Sequence, residues 1–169
     1  MIILSIDVGE KNFAYCVGDK EHIYSWKKHN VMKKKSQTVI ESCIAISKIF
    51  EEEEKELVDR CDTIVIEQQM RANIRAQRIG QHIWSWFFAK YPSKTVTFFP
   101  AHKKTRHFLG ANTLSDKGRK KWSVSKVREI LKQRNDTANA RVFEETEGKK
   151  DDVADAFLQM IVYLTENIF

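Results

Sequence analysis

Two short apolar runs stand out from a mixed chain: Ile2-Ile3-Leu4-Ser5-Ile6, which ends on Asp7, and Ile64-Val65-Ile66, which ends on Glu67. Runs of this kind read as strands buried on both faces. Between them, Phe13-Ala14-Tyr15-Cys16-Val17-Gly18 reads as a second strand, Asp19-Lys20 as a tight turn and His22–Trp26 as a third strand, giving an antiparallel meander. Lys27, Lys28 and Lys33 to Lys35 then read as a solvated basic connection. From Gln37 the period changes. Val39, Ile40, Cys43, Ile46 and Phe50 fall at helical spacing and give one apolar face, with Glu51 to Glu54 as a solvated helix end.

Beyond Glu67, Arg71, Arg75, Arg78 and His82 recur every three or four residues, while Ala72, Ala76, Ile79, Ile83 and Phe87 mark another face. The spacing predicts a helix that is apolar on one side and basic on the other. It is either an ordinary surface helix or one that lies along a phosphate backbone, with Gln68, Gln69 and Asn73 available for hydrogen bonds. Trp84, Trp86 and Phe88 read as core or dimer contacts, and Thr95–Phe99 as a strand closed by Pro100. The stretch from Ala101 to Lys121 carries His102, Lys103, Lys104, Arg106, His107, Arg119, Lys120 and Lys121, with Gly110 and Gly118 between them. It reads as a mobile basic loop suited to gripping phosphates. Val124, Val127, Ile130 and Leu131 mark a helix, and Asn135 to Lys150 a long polar connection. A last helix starts at Asp151 and buries Val153, Phe157, Met160, Ile161 and Leu164.

Composition narrows the function. The 169 residues suit a single domain spanning 1–169, and 29 Lys+Arg against 23 Asp+Glu give a net charge of +6. That balance favours a polyanionic partner, nucleic acid or an anionic membrane surface. Cys16, Cys43 and Cys61 are odd in number and lack metal-type spacing, so they read as small core residues in a reducing compartment. No run is long enough to span a membrane, and the N-terminus lacks a charged region and cleavage site, so the expectation is a soluble, intracellular protein.

A carboxylate at the end of a buried strand needs a reason. Asp7 either caps its strand or is the first ligand of a metal site. If the Glu67 strand lies parallel beside it, both carboxylates reach the edge of the sheet where open α/β sheets place their sites. Asp152 and Asp155 are three residues apart and therefore neighbours on the last helix, and Ala154 and Ala156 would let that helix approach the sheet closely. Asp151, by contrast, reads as a simple complement to the helix dipole. Four carboxylates on three elements would repel one another without cations, and hard oxygen donors select Mg²⁺ or Mn²⁺. A pair of ions about 4 Å apart can activate water and stabilise the leaving 3′ oxygen in phosphodiester hydrolysis.

Five motifs carry a resemblance across nearly the whole chain: Ser5-Ile6-Asp7-Val8-Gly9-Glu10-Lys11-Asn12-Phe13-Ala14-Tyr15, Ile64-Val65-Ile66-Glu67-Gln68-Gln69, Pro100-Ala101-His102-Lys103, Arg119-Lys120-Lys121-Trp122-Ser123 and Asp151-Asp152-Val153-Ala154-Asp155. In this order the chain resembles the poxvirus Holliday junction resolvases, of the RuvC-like branch of the RNase H superfamily. The resemblance implies an α/β, RNase H-like fold: a five-stranded mixed sheet ordered 3-2-1-4-5, strand 2 antiparallel, with helices on both faces. It also implies a homodimer that cuts opposing strands of a four-way DNA junction, two Mg²⁺ per site with Mn²⁺ as a substitute, and action where viral DNA is replicated, in a cytoplasmic factory or the nucleus. Asp7, Glu67, Asp152 and Asp155 would be the ligands. The catalytic lysine falls on Lys103 when the alignment is anchored on Pro100, and on Lys104 with bacterial spacing. Gln68 departs from one poxvirus form of the motif. Gly9 would keep side-chain bulk away from the scissile phosphate. Two rivals remain: an actin-like or sugar-kinase ATPase, which needs a second phosphate-binding domain and a later Gly-rich loop, and a non-catalytic nucleic-acid-binding member of the same fold.

Overall fold

A computed structural model describes residues 1–110 and 114–167. The sheet has the order β3-β2-β1-β4-β5. Its strands are β1 (Ile3–Asp7), β2 (Phe13–Gly18), β3 (Ile23–His29), β4 (Thr63–Gln68) and β5 (Thr95–Pro100). β2 pairs antiparallel with both β1 and β3, whereas β4 pairs parallel with β1 and β5. β3 runs on to His29, so Lys27 and Lys28 lie on a strand rather than in the expected loop.

Side-chain alternation divides the sheet into two faces. Leu4, Ile6, Phe13, Tyr15, Ile64 and Ile66 pack in one cluster with Ile79, Ile83 and Phe87 of α3 (Ile74–Lys90) and with α1 (Val39–Lys48). Ile3, Ala14, Cys16, Val65 and Phe99 pack in the other, against α7 (Asp151–Glu166). α7 is buried almost all round because α5 (Asp116–Gln133) covers its outer side through Val127, Ile130 and Leu131. Each such side chain stabilises the fold by about 1.5–3 kcal/mol when fully buried.

Two stretches are more ordered than their polarity suggests. Residues within Ala101–Lys121 form α4 (His102–Leu109) and the first part of α5, and positions 111–113 of that stretch lie outside the described residues. Gly110 does not mark a mobile loop. It adopts φ 70 at the end of α4, the left-handed helix-ending conformation that glycine enters without strain. Likewise the expected connection from Asn135 to Lys150 contains α6 (Thr137–Glu145), capped by Asp136 and anchored where Phe143 stacks on Trp26 at 5.1 Å. Asn135 makes the left-handed corner between α5 and α6.

The acidic run is also corrected. Between α1 and α2 (Lys55–Arg60), Ile49–Glu53 form a π-type turn that leaves Glu51 to Glu53 exposed but swings Glu54 inward to 3% exposure. There Glu54 Oε1 accepts from Tyr15 Oη at 2.8 Å and Ser25 Oγ at 3.0 Å, and pairs with Lys27 Nζ at 2.5 Å. All three cysteines are buried and free. Among the described residues, no helix is long and apolar enough to cross a membrane.

Candidate active site

Parallel pairing aligns Ile6 with Ile66, so Asp7 and Glu67 emerge one residue later at the same edge, both on the α7 face. α7 crosses this face closely. Ala154 and Ala156 are fully buried, and the Ser5 hydroxyl donates to the Ala156 carbonyl at 2.7 Å. Asp155 is thereby carried to the strand ends. From the other side α4 delivers Lys104, whose Nζ lies 2.7 Å from Glu67 Oε1 and 3.4 Å from Asp155 Oδ1. The protonated Asp7 carboxyl donates to Glu67, and Gln69 Nε2 donates to Glu67 Oε2 at 3.0 Å.

The electrostatics follow from this crowding. Burial, then the neighbouring charges of Glu67 and Asp155, hold the Asp7 carboxyl well above the usual carboxylate range, against the opposing pull of Lys104. Asp155 is also raised, by burial and then by Glu67 and Asp151, against the pull of Lys104. Burial acts to raise Glu67 too, but the Lys104 ammonium and the hydrogen bonds from Asp7, Lys104 and Gln69 outweigh it and leave Glu67 lowered. Lys104 is raised: the three carboxylates overcome the desolvation of its ammonium. Asp152, one turn nearer the start of α7, is pushed up to about 6, first by burial and then by Asp151. Its Oδ2 is buried and accepts no hydrogen bond from the described residues.

The arrangement separates the two candidate lysines. Lys104 is 3% exposed and faces the carboxylates, whereas Lys103 turns away to Glu166 at 2.9 Å and lies over the Phe99 ring. One expectation is refined here. Among the described residues, no three His, Cys, Asp or Glu side chains form a ready coordination shell, and a lysine stands among the carboxylates. The donor set still fits a hard divalent cation: it is all oxygen, Asp7 and Asp155 are raised by burial and by neighbouring carboxylates, and Asp152 offers a buried oxygen with no donor.

Other predicted residues fall around this centre. Gln68 and Gln69 line a cleft of about 210 Å³ that leads from Glu67 along α3. Arg71 and Arg78 are exposed. Arg75 instead forms a two-pronged pair with Glu10, at 2.8 and 2.7 Å, and donates to the Gln37 carbonyl at 3.0 Å. Asn73 caps α3 by accepting from the Ala76 amide at 3.3 Å. His102 and Arg106 are exposed on α4, while Arg119, Lys120 and Lys121 occupy the first turns of α5. Lys120 pairs with Asp151 at 2.7 Å, so Asp151 ties α5 to α7 as well as facing the helix dipole. At Gly9 the constraint is local, since a Cβ would lie 3.1 Å from the Asn12 carbonyl oxygen.

Sequence reasoning missed Gln159. This side chain is 1% exposed, and its Nε2 reaches Ser5 Oγ at 3.1 Å, the Ile6 carbonyl at 3.2 Å and the Val65 carbonyl at 3.1 Å. It links β1, β4 and α7 directly behind Asp7, Glu67 and Asp155. The available signal was one amide within the apolar run Phe157-Leu158-Gln159-Met160-Ile161, one turn after Asp155.

The model of the family described as "Poxvirus A22 protein" matches residues 1–167. The chain belongs to this family, the viral RuvC-like Holliday junction resolvases. It is 27% identical to "Uncharacterized protein 170L" of Invertebrate iridescent virus 6, over 95% of this chain and 87% of that protein. It is 35% identical to "Uncharacterized protein 97L" of Invertebrate iridescent virus 3, over 61% of this chain and 48% of that one. Among solved structures, Thermus thermophilus RuvC superposes with a TM-score of 0.62 at 12% identity, covering 98% of this chain and 96% of RuvC. RuvC of the same organism in complex with a Holliday junction substrate gives 0.58 at 14% identity, covering 99% and 96%. These superpositions establish the RNase H-like fold of this resolvase family member.

Proposed function

We propose that the chain folds as one RNase H-like domain and is a divalent-metal-dependent endonuclease that cuts four-way DNA junctions by phosphodiester hydrolysis. The observation that supports this most directly is the meeting of Asp7, Glu67, Asp155 and Lys104 at the shared edge of β1 and β4, in a chain of the resolvase family. Asp7, Glu67, Asp152 and Asp155 would hold two Mg²⁺, with Mn²⁺ as a substitute, and the ions would supply an activated water and a stabilised leaving oxygen.

The side chains have separable tasks in this reading. Lys104 keeps a fixed positive charge beside Glu67 and Asp155, available to the charge that develops on the scissile phosphate. It also keeps Glu67 ionised, while Asp7 and Asp155, raised by burial and by their neighbours, hold protons more readily until a cation replaces them. Gln159 fixes the spacing of the three elements. Gln68, Arg71, Arg78, His102, Arg106, Arg119 and Lys121 lie on the flanking elements as candidate DNA contacts. Two copies would act on opposing strands as a homodimer, in viral DNA recombination, concatemer resolution or genome processing at the site of replication.

The test is cleavage of a synthetic four-way junction in Mg²⁺ by wild type, Asp7→Asn and Asp152→Asn, with the mass of the species in solution measured alongside. Symmetric nicks by a wild-type dimer and none by either variant are expected. Undiminished cutting by both variants would sink the metal-ligand assignment. An inert but junction-binding wild type would make the protein a binding module.

A further inference from the structure

We propose that the groove between the β2–β3 side of the sheet and the loop leading into α7 is a second nucleic-acid track. It takes the phosphodiester backbone of a DNA arm passing the carboxylates on the side opposite α3. The proposal rests on the resolvase reading and adds a substrate path to it.

The strand register sets the position. Asp7 lies opposite Ala14 in β1–β2, and Ala14 lies opposite Lys28 in β2–β3, so these residues form one row across the sheet. Directly paired residues point to the same face, so Lys28 shares the α7 face with Asp7 across the small Ala14 side chain. Lys28 Nζ donates to the carbonyls of Glu147 and Lys149, at 2.6 and 2.7 Å, and so binds the loop ahead of α7 to the sheet. Gly148 adopts φ 69 there, where a Cβ would sit 3.7 Å from the same ammonium.

The groove enclosed in this way has a volume of about 760 Å³ and is lined by Lys11, Lys27, Lys28, His29 and Lys149, with Glu147 as its acid. Lys27 is already paired with Glu54. Lys11 and Lys149 are exposed, and neither side chain has a hydrogen bond or ion pair among the described residues. They flank the site in sequence as well: Lys11 follows Asp7 by one short turn, and Lys149 precedes Asp151 and Asp152 on the loop that Lys28 fixes.

The chemistry of the lining selects the ligand. Cations without carboxylate partners attract a polyanion, and each phosphate neutralised releases counterions. The groove offers no free aromatic face for a base, since its one ring, His29, is stacked on Tyr15 at 5.7 Å. Contacts there are therefore to the backbone and independent of sequence. With Arg71 and Arg78 exposed beyond β4, cations stand on both sides of the carboxylates, as a strand crossing the site requires.

The test measures binding of a four-way junction and of a linear duplex in chelator, across a range of salt, for Lys11→Ala, Lys149→Ala and the double variant. Lys20→Ala, at the opposite edge of the sheet, is the control. Each groove substitution is expected to reduce the log–log salt slope by about one counterion and weaken binding roughly 5-fold, while Lys20→Ala does neither. Unchanged slopes in the double variant, or an equal fall for Lys20→Ala, would overturn the groove even if wild type cuts junctions. A wild type that fails to cut while the groove variants still lose binding supports the track and sinks the resolvase reading instead.

Discussion

Lys104 donates to Glu67 across 2.7 Å from a side chain that is 3% exposed, an ion pair held almost wholly out of water. Its ammonium is the main force keeping Glu67 ionised against burial. Lys104→Ala is expected to slow junction cleavage by about 10²–10³-fold. It is also expected to move the acid limb of the pH–rate profile upward, because Glu67 then protonates more readily. Lys103→Ala, which breaks a pair with Glu166 away from the carboxylates, should leave both rate and profile unchanged. Single-turnover kinetics across pH decide it, and an unshifted limb in Lys104→Ala would reduce that lysine to a packing role.

Asp152 stands at about 6 in the folded protein, against about 3.9 in an unfolded chain. An acid raised on folding keeps its full stability below the unfolded value and loses it as the pH climbs toward the folded one, because the unfolded state ionises first. In chelator, Asp152→Asn is therefore expected to leave thermal stability unchanged in acid and to raise it at neutral pH. After allowance for solvent screening at this partly exposed side chain, the gain is about 1 kcal/mol. Equal melting temperatures for the two proteins at neutral pH would contradict the raised carboxyl.

Arg75 and its neighbours Arg71 and Arg78 should behave differently toward DNA. Arg75 is committed to Glu10, which is lowered by that contact, so the pair's stabilisation is present at neutral pH and lost in acid. Arg71→Ala and Arg78→Ala are each expected to reduce the salt slope of junction binding by about one counterion, and Arg75→Ala by less. Equal reductions for all three would show that DNA displaces Glu10.

Glu54 gathers Tyr15, Ser25 and Lys27 on one carboxylate oxygen beneath the sheet. Removing it leaves buried donors without an acceptor, so Glu54→Ala is expected to cost about 3 kcal/mol by denaturant titration. Glu52→Ala, on the exposed part of the same run, should be near neutral. A small cost at Glu54 would mean that water reaches the cluster.

Asp7 and Glu67 were legible as neighbours because buried strands leave unbroken apolar runs and a charge at the end of one is conspicuous, whereas the full strand order came from the family resemblance. Asp155 could be inferred from the small residues beside it, which permit the close helix-to-sheet contact that the Ser5–Ala156 hydrogen bond records. The inward turn of Glu54 was not legible, since a π-type turn changes phase without changing composition. α4 and α6 were hidden by their charge. Their apolar anchors are few, and Gly110 and Asn135 act as helix ends rather than as marks of mobility. The choice between Lys103 and Lys104 turned on one residue of helical phase, about 100° of rotation, which motif spacing alone did not resolve.

Gln159 spans two strands and a helix from a position closed to water, and this has a kinetic meaning. Opening the backbone around Ile6 or Val65 requires breaking that cross-link, so the floor beneath Asp7 and Glu67 is expected to be among the slowest-exchanging parts of the chain. Amide hydrogen exchange should register this as protection near the global limit at β1 and β4, much reduced in Gln159→Leu. A floor that rigid leaves conformational adjustment to the nucleic acid, so branch flexibility in the DNA, rather than breathing of the protein, would set which junctions are cut fastest.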